Sequence, residues 1–405
     1  MNILFITQYF PPEIGAAPER AYEFARYFKE RGHQVQVITG FPNHPSGIIH
    51  QGYRSKLTSK ECYKGIDILR TYTFATPNKT LINRFLNFLS FSFSSLLGLF
   101  FIKKPEVILL TIPPLFLGAT GIIYRFITRK PLVLDVRDLW PRAAVELGEM
   151  KESIVIKILT KMELYFYKKA NRITVVTEGI KNDLIHRGVP REKINLITNG
   201  VNTEIFNKVT DIQNPYKSFG LDNKFIVVYS GVIGIQHGVT YIAKAASILS
   251  REKDIAFVFI GDGVKKNELK KEAEKCGLDN IHFLQNQPVE FLVEFLSYSH
   301  IGLATLRNLP FCNGIILVKI FCYMSCMLPV ILAGYGESKD IVVKSKAGLC
   351  IEPENPEQLA EAINVLYKSP EKCNQFRING RNHVEKYYSR RSIAGKMEEM
   401  LKNIA

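Results

Sequence analysis

The chain has 405 residues and a formal net charge of +15, from 53 Lys and Arg against 38 Asp and Glu. Hydrophobic residues make up 46% and charged residues 22%, a composition that excludes a disordered or low-complexity chain. At roughly 150 residues per domain, the length predicts two or three domains. The cysteines form no CxxC pair and no Cys/His cluster, which argues against a zinc site and a disulfide framework.

The positive charge is compatible with nucleic acid, an anionic membrane surface or anionic small substrates, or with a basic solvated surface that has no partner. The sequence contains no zinc finger, aromatic RNA-binding signature or Arg-rich arm, so we expect no nucleic-acid partner. The chain opens on an apolar run, residues 1–6, without a basic segment before it, which reads as a first strand and predicts a cytoplasmic protein.

The first half alternates short apolar runs with helical patterns. Residues 18–31 carry apolar side chains at helical spacing, and Gly32 ends that pattern. Such alternation predicts a parallel sheet covered by helices on both faces. The predicted strands are Asn2–Thr7, Gln34–Thr39, Val107–Thr111, Leu132–Val136, Ile173–Thr177 and Lys193–Ile197.

A polar stretch after residue 207 is typical of a linker, and a second alternation of strands and helices follows it. We therefore predict an α/β fold with two Rossmann-like domains, residues 1–207 and 208–390, facing across a cleft. A C-terminal helix, residues 391–405, is expected to pack back toward the first domain. Open α/β sheets bind ligands at the carboxyl ends of their strands. The predicted strands of this half are Phe225–Tyr229, Ala256–Ile260, Ile281–Leu284, Ile301–Leu303, Pro329–Leu332 and Gly348–Ile351, and its helices are Val239–Ser250, Lys265–Cys276, Pro288–Tyr298 and Ile320–Cys326.

Residues 85–102 form an uncharged segment with basic residues on both sides. Its length is compatible with a transmembrane span, a buried core helix or an interfacial helix. A span would place Gly15 and Asp138 on opposite sides of a bilayer, although both are predicted on one sheet. The flanking cations favour an interfacial helix.

Two motifs of the first half lie where strands end. Gly15 and Ala16 stand at a strand-to-helix turn, where small residues let a ligand approach and a helix N-terminus suits a phosphate, although an ordinary turn explains them equally well. The segment 135–141 follows another strand. Alternation places Asp135 in that strand and leaves Asp138 free in the loop beside Arg137; the alternative is a salt-bridged loop. No Asp-x-Asp motif occurs, so we expect neither a metal nor another cofactor.

Glycine-rich turns follow two strands of the second half. One contains Gly231, Gly234 and Gly238, and the other contains Gly261 and Gly263. Neither matches the GxGxxG pattern, so a dinucleotide cofactor is not supported.

Taken in order, these motifs resemble the family 4 glycosyltransferases of the GT-B fold over nearly the whole chain. The chain is most similar to the bacterial branch that builds O-antigen and capsule polysaccharides, including N-acetylfucosaminyl transferases. The resemblance implies donor binding by the second domain and acceptor binding by the first. It rests on segments 11–17, 40–45, 135–141, 199–203, 229–238, 261–263 and 319–324.

The resemblance also implies roles for individual residues. Asp138 and Lys319 are the expected catalytic residues: Lys319 stabilises the departing diphosphate, and Asp138, together with Arg137, contacts the acceptor. The expected donor-binding residues are Gly15, Ala16, Gly231, Gly234, His237, Lys319, Cys322 and Glu337. A lone exposed histidine with no role is the alternative for His237, and simple packing is the alternative for Cys322.

The donor motif departs from the family pattern. The glutamate that holds the ribose hydroxyls in the family is Cys322 here, and a second glutamate falls near Gly314. The Arg and Lys that grip the diphosphate fall at Val232 and His237. A thiol is a poor acceptor, so we expect donor affinity to fall by about 2 kcal/mol unless Lys319 and backbone amides suffice.

The implied activity is retaining transfer of a sugar, an N-acetylated amino sugar, from a UDP-sugar to a polyprenyl-diphosphate-linked glycan in O-antigen or capsule synthesis. Two alternatives remain: a GT-B protein that binds a nucleotide sugar or a partner without turnover, and a sugar-nucleotide epimerase. The expected location is the inner face of the cytoplasmic membrane, held peripherally by an anionic membrane surface. The proposed membrane-facing cations are Arg84, Lys103, Lys104, Arg125, Arg129 and Lys130.

Overall fold

The computed structural model describes the whole chain except residues 14, 45, 55, 79, 147, 149, 210 and 211; of 143 and 144 it describes the backbone alone. The chain divides into two compact units, Met1–Thr198 with Ile393–Ala405, and Asn199–Ser392. The sequence predicts the boundary at residue 207, whereas the first unit ends at Thr198. The reason is local, because the Val201 N–H donates to the Tyr388 carbonyl at 3.0 Å and Val201 pairs with Ser389.

The first unit is built on a sheet with the strand order β3-β4-β2-β1-β5-β6-β7-β8. Every pairing in it is parallel except that of β3 with β4, a hairpin at one edge that the sequence patterns did not predict. Its elements are β1 (Asn2–Ile6), α1 (Ala16–Glu30), β2 (Gln34–Gly40), β3 (Thr58–Tyr63), β4 (Ile66–Thr71), α2 (Leu81–Ser94), β5 (Val107–Ile112), α3 (Leu117–Thr128), β6 (Leu132–Val136), α4 (Arg142–Glu146), α5 (Ile154–Lys169), β7 (Arg172–Val175), α6 (Glu178–His186) and β8 (Ile194–Leu196).

The second unit has a parallel sheet with the strand order β11-β10-β9-β12-β13-β14. Its strands are entirely or largely apolar because helices cover both faces. Its elements are β9 (Phe225–Ser230), α7 (Tyr241–Ile248), β10 (Ile255–Ile260), α8 (Lys266–Lys275), β11 (Ile281–Leu284), α9 (Val289–Ser297), β12 (Ile301–Thr305), α10 (Val318–Ser325), β13 (Val330–Ala333), α11 (Gly336–Ser345), β14 (Gly348–Ile351), α12 (Pro356–Tyr367) and α13 (Pro370–Tyr387).

The last helix, α14 (Arg390–Lys402), packs on the first unit. Its buried face, with Ile393, Met397 and Leu401, joins the core formed by α1 and the first strands. The Glu398 carboxylate accepts from Lys402 at 2.6 Å and lies 2.8 Å from His33 Nε2. Burial opposes the charge of Glu398, but these two partners hold its pKa at about 2. The helix is therefore fixed by both apolar contact and charge.

The uncharged segment 85–102 is not one continuous helix. α2 ends at Ser94, and a 3₁₀ helix, Ser95–Phe100, follows it. Ser92, Ser94 and Ser95 bend their hydroxyls back onto backbone carbonyls three or four residues earlier, which competes with regular helical bonding. Within the described residues, no helix combines the length and apolarity needed to cross a bilayer.

Candidate functional site

The candidate donor site lies where the strand order of the second sheet reverses, between β9 and β12. Connections leave these two strands in opposite directions, which opens a crevice at their carboxyl ends. β9 and β12 pair through only two residue pairs, Ile301 with Val227 and Gly302 with Val228. The strands separate beyond that point, and α10 inserts its side chains into the gap.

Tyr323 of α10 holds the separated strands apart. Its hydroxyl accepts from the Ser230 N–H at 2.8 Å and donates to the Leu303 carbonyl at 3.1 Å, replacing the missing bonds between the strands. The ring lies against Gly302, where an added Cβ would come within 2.4 Å of it. Glycine at 302 is therefore needed for this close approach.

Lys319 lies one turn before Tyr323 and is the central group of the crevice. Its Nζ lies 3.4 Å from the ring centroid of Tyr229, the last but one residue of β9. Nζ is buried and has no hydrogen-bond partner among the described residues. Burial lowers the pKa of Lys319 well below its usual value, with only the Cys322 thiol opposing the shift. A cation this poorly compensated is stabilised by an anion.

His237 stands beside Lys319, and it is buried rather than exposed. Its Nδ1 accepts from the Gly234 N–H at 3.3 Å, which leaves the ring proton on Nε2. Burial first, and the charge of Lys319 second, lower the pKa of His237 to about 3. The imidazole is therefore neutral at physiological pH and offers a ligand one N–H donor, without charge.

The low pKa of His237 predicts how the stability of the protein changes at acidic pH. The pKa of His237 is about 3 when folded against 6.5 when unfolded, so the unfolded chain binds more protons between these values. Stability therefore falls as pH decreases through that window, by about 2 kcal/mol between pH 7 and pH 5. His237→Asn keeps an acceptor for Gly234 and should remove this loss in urea unfolding, whereas His186→Asn, at an exposed position, should unfold like the wild type. Parallel pH curves for wild type and His237→Asn would contradict the assignment.

The glycines around this crevice let two backbone turns pack against each other, and their N–H groups are largely used within the protein. The Gly231 N–H donates to the Ile260 carbonyl at 2.9 Å, and the Gly234 N–H is engaged by His237. A Cβ on Gly261 would lie 2.0 Å from the Gly231 carbonyl oxygen, so the two turns touch through their backbones. Gly234 precedes a 3₁₀ turn of three residues, Ile235–His237, which is too short to supply a helix dipole.

The loop before α10 is fixed by the start of α11. The Ser338 hydroxyl accepts from the Leu317 N–H at 3.1 Å and donates to the Ile315 carbonyl at 2.9 Å. Glu337 is half-buried next to Ser338, and its charge contributes, after burial, to raising the pKa of Tyr388. No carboxylate of the described residues acts on Lys319, so Glu337 does not neutralise it.

The acids after β6 of the first unit separate as alternation predicts. Asp135 is buried, pairs with Arg20 at 3.2 Å and accepts from the Thr174 hydroxyl at 2.7 Å. Asp138 is exposed in the loop, where the Leu139 N–H donates to its Oδ1 at 2.9 Å. The surrounding protein nevertheless removes enough water to raise the pKa of Asp138, against the charge of Arg137 beside it. Asp138 is the acid of this pair that a ligand can reach.

Gly15 and Ala16 begin α1 at the same edge of the first sheet. Gly15 has φ +143° and caps the helix without a side-chain hydrogen bond, and Ala16 is exposed. The preceding loop is organised by Glu13, whose buried carboxylate accepts the N–H groups of Phe10, Asn43 and His44 at 2.9–3.2 Å. Burial raises the pKa of Glu13 while these donors oppose the rise.

Two family profiles match nearly the whole chain: residues 18–205 match Glycosyltransferase Family 4, and residues 212–383 match Glycosyl transferases group 1. The chain is a family 4 glycosyltransferase. It is 26% identical over 304 residues to the putative colanic acid biosynthesis glycosyl transferase WcaI of Escherichia coli (strain K12), covering 73% of this chain and 74% of the relative. It is 25% identical to the probable glycosyltransferase WbjE of Pseudomonas aeruginosa, over 65% and 66% of the two chains.

Solved structures confirm the GT-B fold of the glycosyltransferase. Sucrose-phosphate synthase from Thermosynechococcus elongatus superposes with a TM-score of 0.76 at 16% identity, covering 99% of this chain and 98% of that one. Anabaena HepE in complex with UDP gives 0.75 at 17% identity, over 100% of both chains. The family resemblance and the two Rossmann-like α/β domains read from the sequence are thus confirmed.

Sequence reasoning missed two tyrosines of the glycosyltransferase's second unit. Tyr229 supplies the ring face beneath Lys319, and Tyr323 separates the strands. Both are fully buried, and apolar patterning alone reads such tyrosines as core. Lys319 could have pointed to a site around it, because it is a cation in an otherwise apolar helical stretch of the sequence without an acid nearby. In the described part of the chain, no three His, Cys, Asp or Glu side chains gather as metal ligands would.

Proposed function

We propose that the glycosyltransferase moves a sugar from a UDP-sugar donor to a glycan acceptor in bacterial surface polysaccharide synthesis. The observation that carries this proposal is the Lys319 ammonium, which is buried over Tyr229 without a hydrogen-bond partner. A donor diphosphate would supply the missing negative charge. At about 4 Å and an effective dielectric of 20, one such pair attracts by about 4 kcal/mol before desolvation.

The chemistry follows from the charge that develops on the leaving diphosphate. Lys319 stabilises that charge as the glycosidic bond breaks, and the neutral His237 donates Nε2–H to a phosphate oxygen. Both groups are held in place before substrate binds, Lys319 by Tyr229 and His237 by Gly234 and Thr305. Asp138 contacts the acceptor hydroxyl and assists its deprotonation, and transfer proceeds with retention of configuration.

The names of related proteins support the proposed transfer of a sugar from a nucleotide donor. HepE of Anabaena has been crystallised with UDP and with UDP-glucose. Curated relatives include D-rhamnosyltransferase WbpZ of Pseudomonas aeruginosa, at 24% identity, and O-antigen chain mannosyltransferase C of Escherichia coli, at 26%. For this chain we propose an N-acetylated amino sugar as the transferred group and a polyprenyl-diphosphate-linked glycan as acceptor, with no metal.

Cys322 favours a second candidate, binding of the nucleotide sugar without turnover. It stands one turn after Lys319, where the family pattern has a glutamate for the ribose hydroxyls. A thiol cannot make that charged, bidentate contact, so the nucleoside end is held less firmly than the diphosphate end.

A donor screen separates these candidates. Calorimetry of UDP- and GDP-sugars identifies the donor, and mass spectrometry follows its fate with and without a lipid-diphosphate glycan. We expect donor consumption that depends on the acceptor. Binding without consumption under any acceptor would favour the non-catalytic candidate, and conversion of the donor without acceptor would indicate an epimerase.

We further propose that the glycosyltransferase associates peripherally with the anionic inner face of the cytoplasmic membrane. α2 packs on α3 and α3 on α5, all on one face of the first sheet. We call their outer surface the α2–α3–α5 face; its exposed apolar residues are Ile82, Leu86, Phe93, Ile123, Phe126, Ile127, Ile154, Val155 and Ile158. Exposed apolar area of this extent is typical of an interaction surface.

The predicted membrane-facing cations do not all lie at one edge of the sheet. Lys103 and Lys104 precede β5, and Arg125, Arg129 and Lys130 precede β6, so all five lie at the amino edge. Arg84, in the first turns of α2, lies toward the opposite edge. The apolar face is therefore bordered by positive charge at both ends, which suits an anionic bilayer.

Vesicle sedimentation tests this face. Phe126 is 83% exposed, and burying a phenylalanine or isoleucine contributes about 1.5–3 kcal/mol. The double variant Phe126→Asp, Ile127→Asp should reduce partition onto phosphatidylglycerol vesicles at least about tenfold. Val264→Asp, 78% exposed in the second unit, is the matched control and should bind like the wild type. Equal losses in both variants would refute the proposed face.

A further inference from the structure

A second basic pocket lies at the amino end of the second unit's sheet. It has a volume of about 330 Å³ and is formed by the start of β9, the turn before β12 and one side of α13. The charged and titratable groups among its described lining residues are Lys208, Asp222, Lys224, Tyr298, His300 and Arg377. This set is distinct from every residue assigned to the donor site above.

Lys208 and Arg377 are the two positively charged groups nearest His300 in this pocket. Neither forms an ion pair or a hydrogen bond with any described residue, and both are half-buried. Burial, followed by the charge of Arg377, lowers the pKa of Lys208, and both residues line the pocket. Among the described lining residues, Asp222 is the one acid, and it is exposed.

Three guanidinium groups that are better buried or paired elsewhere in the chain differ from Arg377. Arg20 pairs with Asp135, Arg70 with Glu61 and Arg187 with Glu163. Buried cations are normally paired because desolvation disfavours an isolated charge. Among the described residues no carboxylate pairs with Lys208 or Arg377, so a bound anion would supply the opposite charge.

His300 lines the same pocket as the two cations. Its Nδ1 accepts from the Ile226 N–H at 3.0 Å, and its ring stacks on Phe225 at 4.6 Å, so the ring is fixed with its proton on Nε2. Burial, followed by Arg377 and Lys208, lowers the pKa of His300 to about 4. His300 thus adds a neutral N–H to two cations.

The pocket is separate from the donor crevice. Ile226 lines it at the start of β9, whereas Tyr229 lies under Lys319 near the end of the same strand. Three residues of extended chain place these positions roughly 10 Å apart along the strand. One diphosphate at Lys319 therefore leaves the second pocket empty.

We propose that the pocket formed by Lys208, His300 and Arg377 binds a phosphate group that is not part of the donor. A guanidinium fork grips two phosphate oxygens, an ammonium supplies a point charge and an imidazole N–H donates to a third oxygen. The volume exceeds that of bare phosphate, so a phosphomonoester of a small molecule fits as well as inorganic phosphate. A phospholipid headgroup presents the same chemistry.

Calorimetry on the full chain with inorganic phosphate tests this site, at constant ionic strength and with UDP saturating the donor crevice. We expect saturable binding that Arg377→Gln weakens at least about tenfold, the loss expected for one charge-assisted contact. Lys275→Gln removes the same charge from an exposed helix and should leave binding unchanged, as should Lys319→Met. Circular dichroism establishes that each variant is folded.

A second arm distinguishes the source of the phosphate. Vesicles containing phosphatidic acid replace inorganic phosphate, and partition is compared for wild type, Arg377→Gln and Lys275→Gln. Loss of partition in Arg377→Gln alone, without binding of inorganic phosphate, assigns the site to a lipid headgroup. If neither probe distinguishes Arg377→Gln from Lys275→Gln, the site does not bind phosphate and the proposal is wrong.

Discussion

Replacing Lys319 with methionine should lower turnover by about 10²–10³-fold and yet raise the melting temperature of the ligand-free protein. Methionine fills the space over Tyr229 but carries no charge, so the leaving diphosphate loses its cation. The same change removes a buried ammonium that lacks a hydrogen-bond partner, which costs folding free energy in the wild type. Opposite effects on activity and stability are typical of a group retained for function.

The pH dependence of unfolding gives an independent check of this prediction. The pKa of Lys319 is lower in the folded state, so the unfolded chain binds more protons just below pH 10.5, where the folded lysine has already lost its proton. Wild-type stability should therefore gain from rising pH in the alkaline range, and Lys319→Met should lose that gain. Lys372→Met, which removes an exposed cation, should change neither activity nor this slope. A less stable Lys319→Met variant would show that the lysine has a structural role.

Asp138→Asn should lower turnover by about 10²–10⁴-fold without changing stability or UDP affinity. The side chain is exposed and accepts the neighbouring Leu139 N–H, a bond that the amide oxygen of asparagine can also accept. Removal of the carboxylate therefore affects proton transfer from the acceptor and leaves the fold unchanged.

Asp135→Asn is the matched comparison, three residues earlier. Its carboxylate is buried against Arg20, and the substitution leaves that guanidinium underpaired, which should destabilise the chain by about 3–5 kcal/mol. Urea unfolding and initial rates on both variants separate the two roles. If Asp138→Asn unfolds as early as Asp135→Asn, or retains full turnover, Asp138 does not activate the acceptor.

The spacing of apolar residues, together with the turn residues between apolar runs, predicted the strands and helices that position these residues. The strands Leu132–Val136, Ile281–Leu284 and Gly348–Ile351 have the predicted bounds because each is a short apolar run between clear turn signals. The β3–β4 hairpin was missed, since β3 is an exposed edge strand whose polar side chains give no apolar pattern. α2 ended early because its serines bond to their own backbone, which a count of apolar residues does not reveal.

The candidate site was harder to predict than the fold. The motifs identified Lys319 and Asp138. They do not show which side chains surround these two residues in the folded chain. The burial of Lys319 depends on Tyr229, ninety residues earlier, and on Tyr323 holding two strands apart. The alternative of an exposed His237 without a role is wrong on burial, because a single histidine in a sequence carries no sign of whether it is buried. The pairing of Arg20 with Asp135 likewise depends on contacts between distant segments.

The central claim, that Lys319 binds the donor diphosphate, is tested most directly by calorimetric titration of wild type and Lys319→Met with UDP and with uridine. Uridine carries the same nucleoside without phosphate, so it reports any general damage to the crevice. We predict that Lys319→Met weakens UDP binding at least about tenfold and leaves uridine binding unchanged. An equal loss for both ligands, or undiminished UDP affinity, would contradict the assignment of Lys319 to the diphosphate.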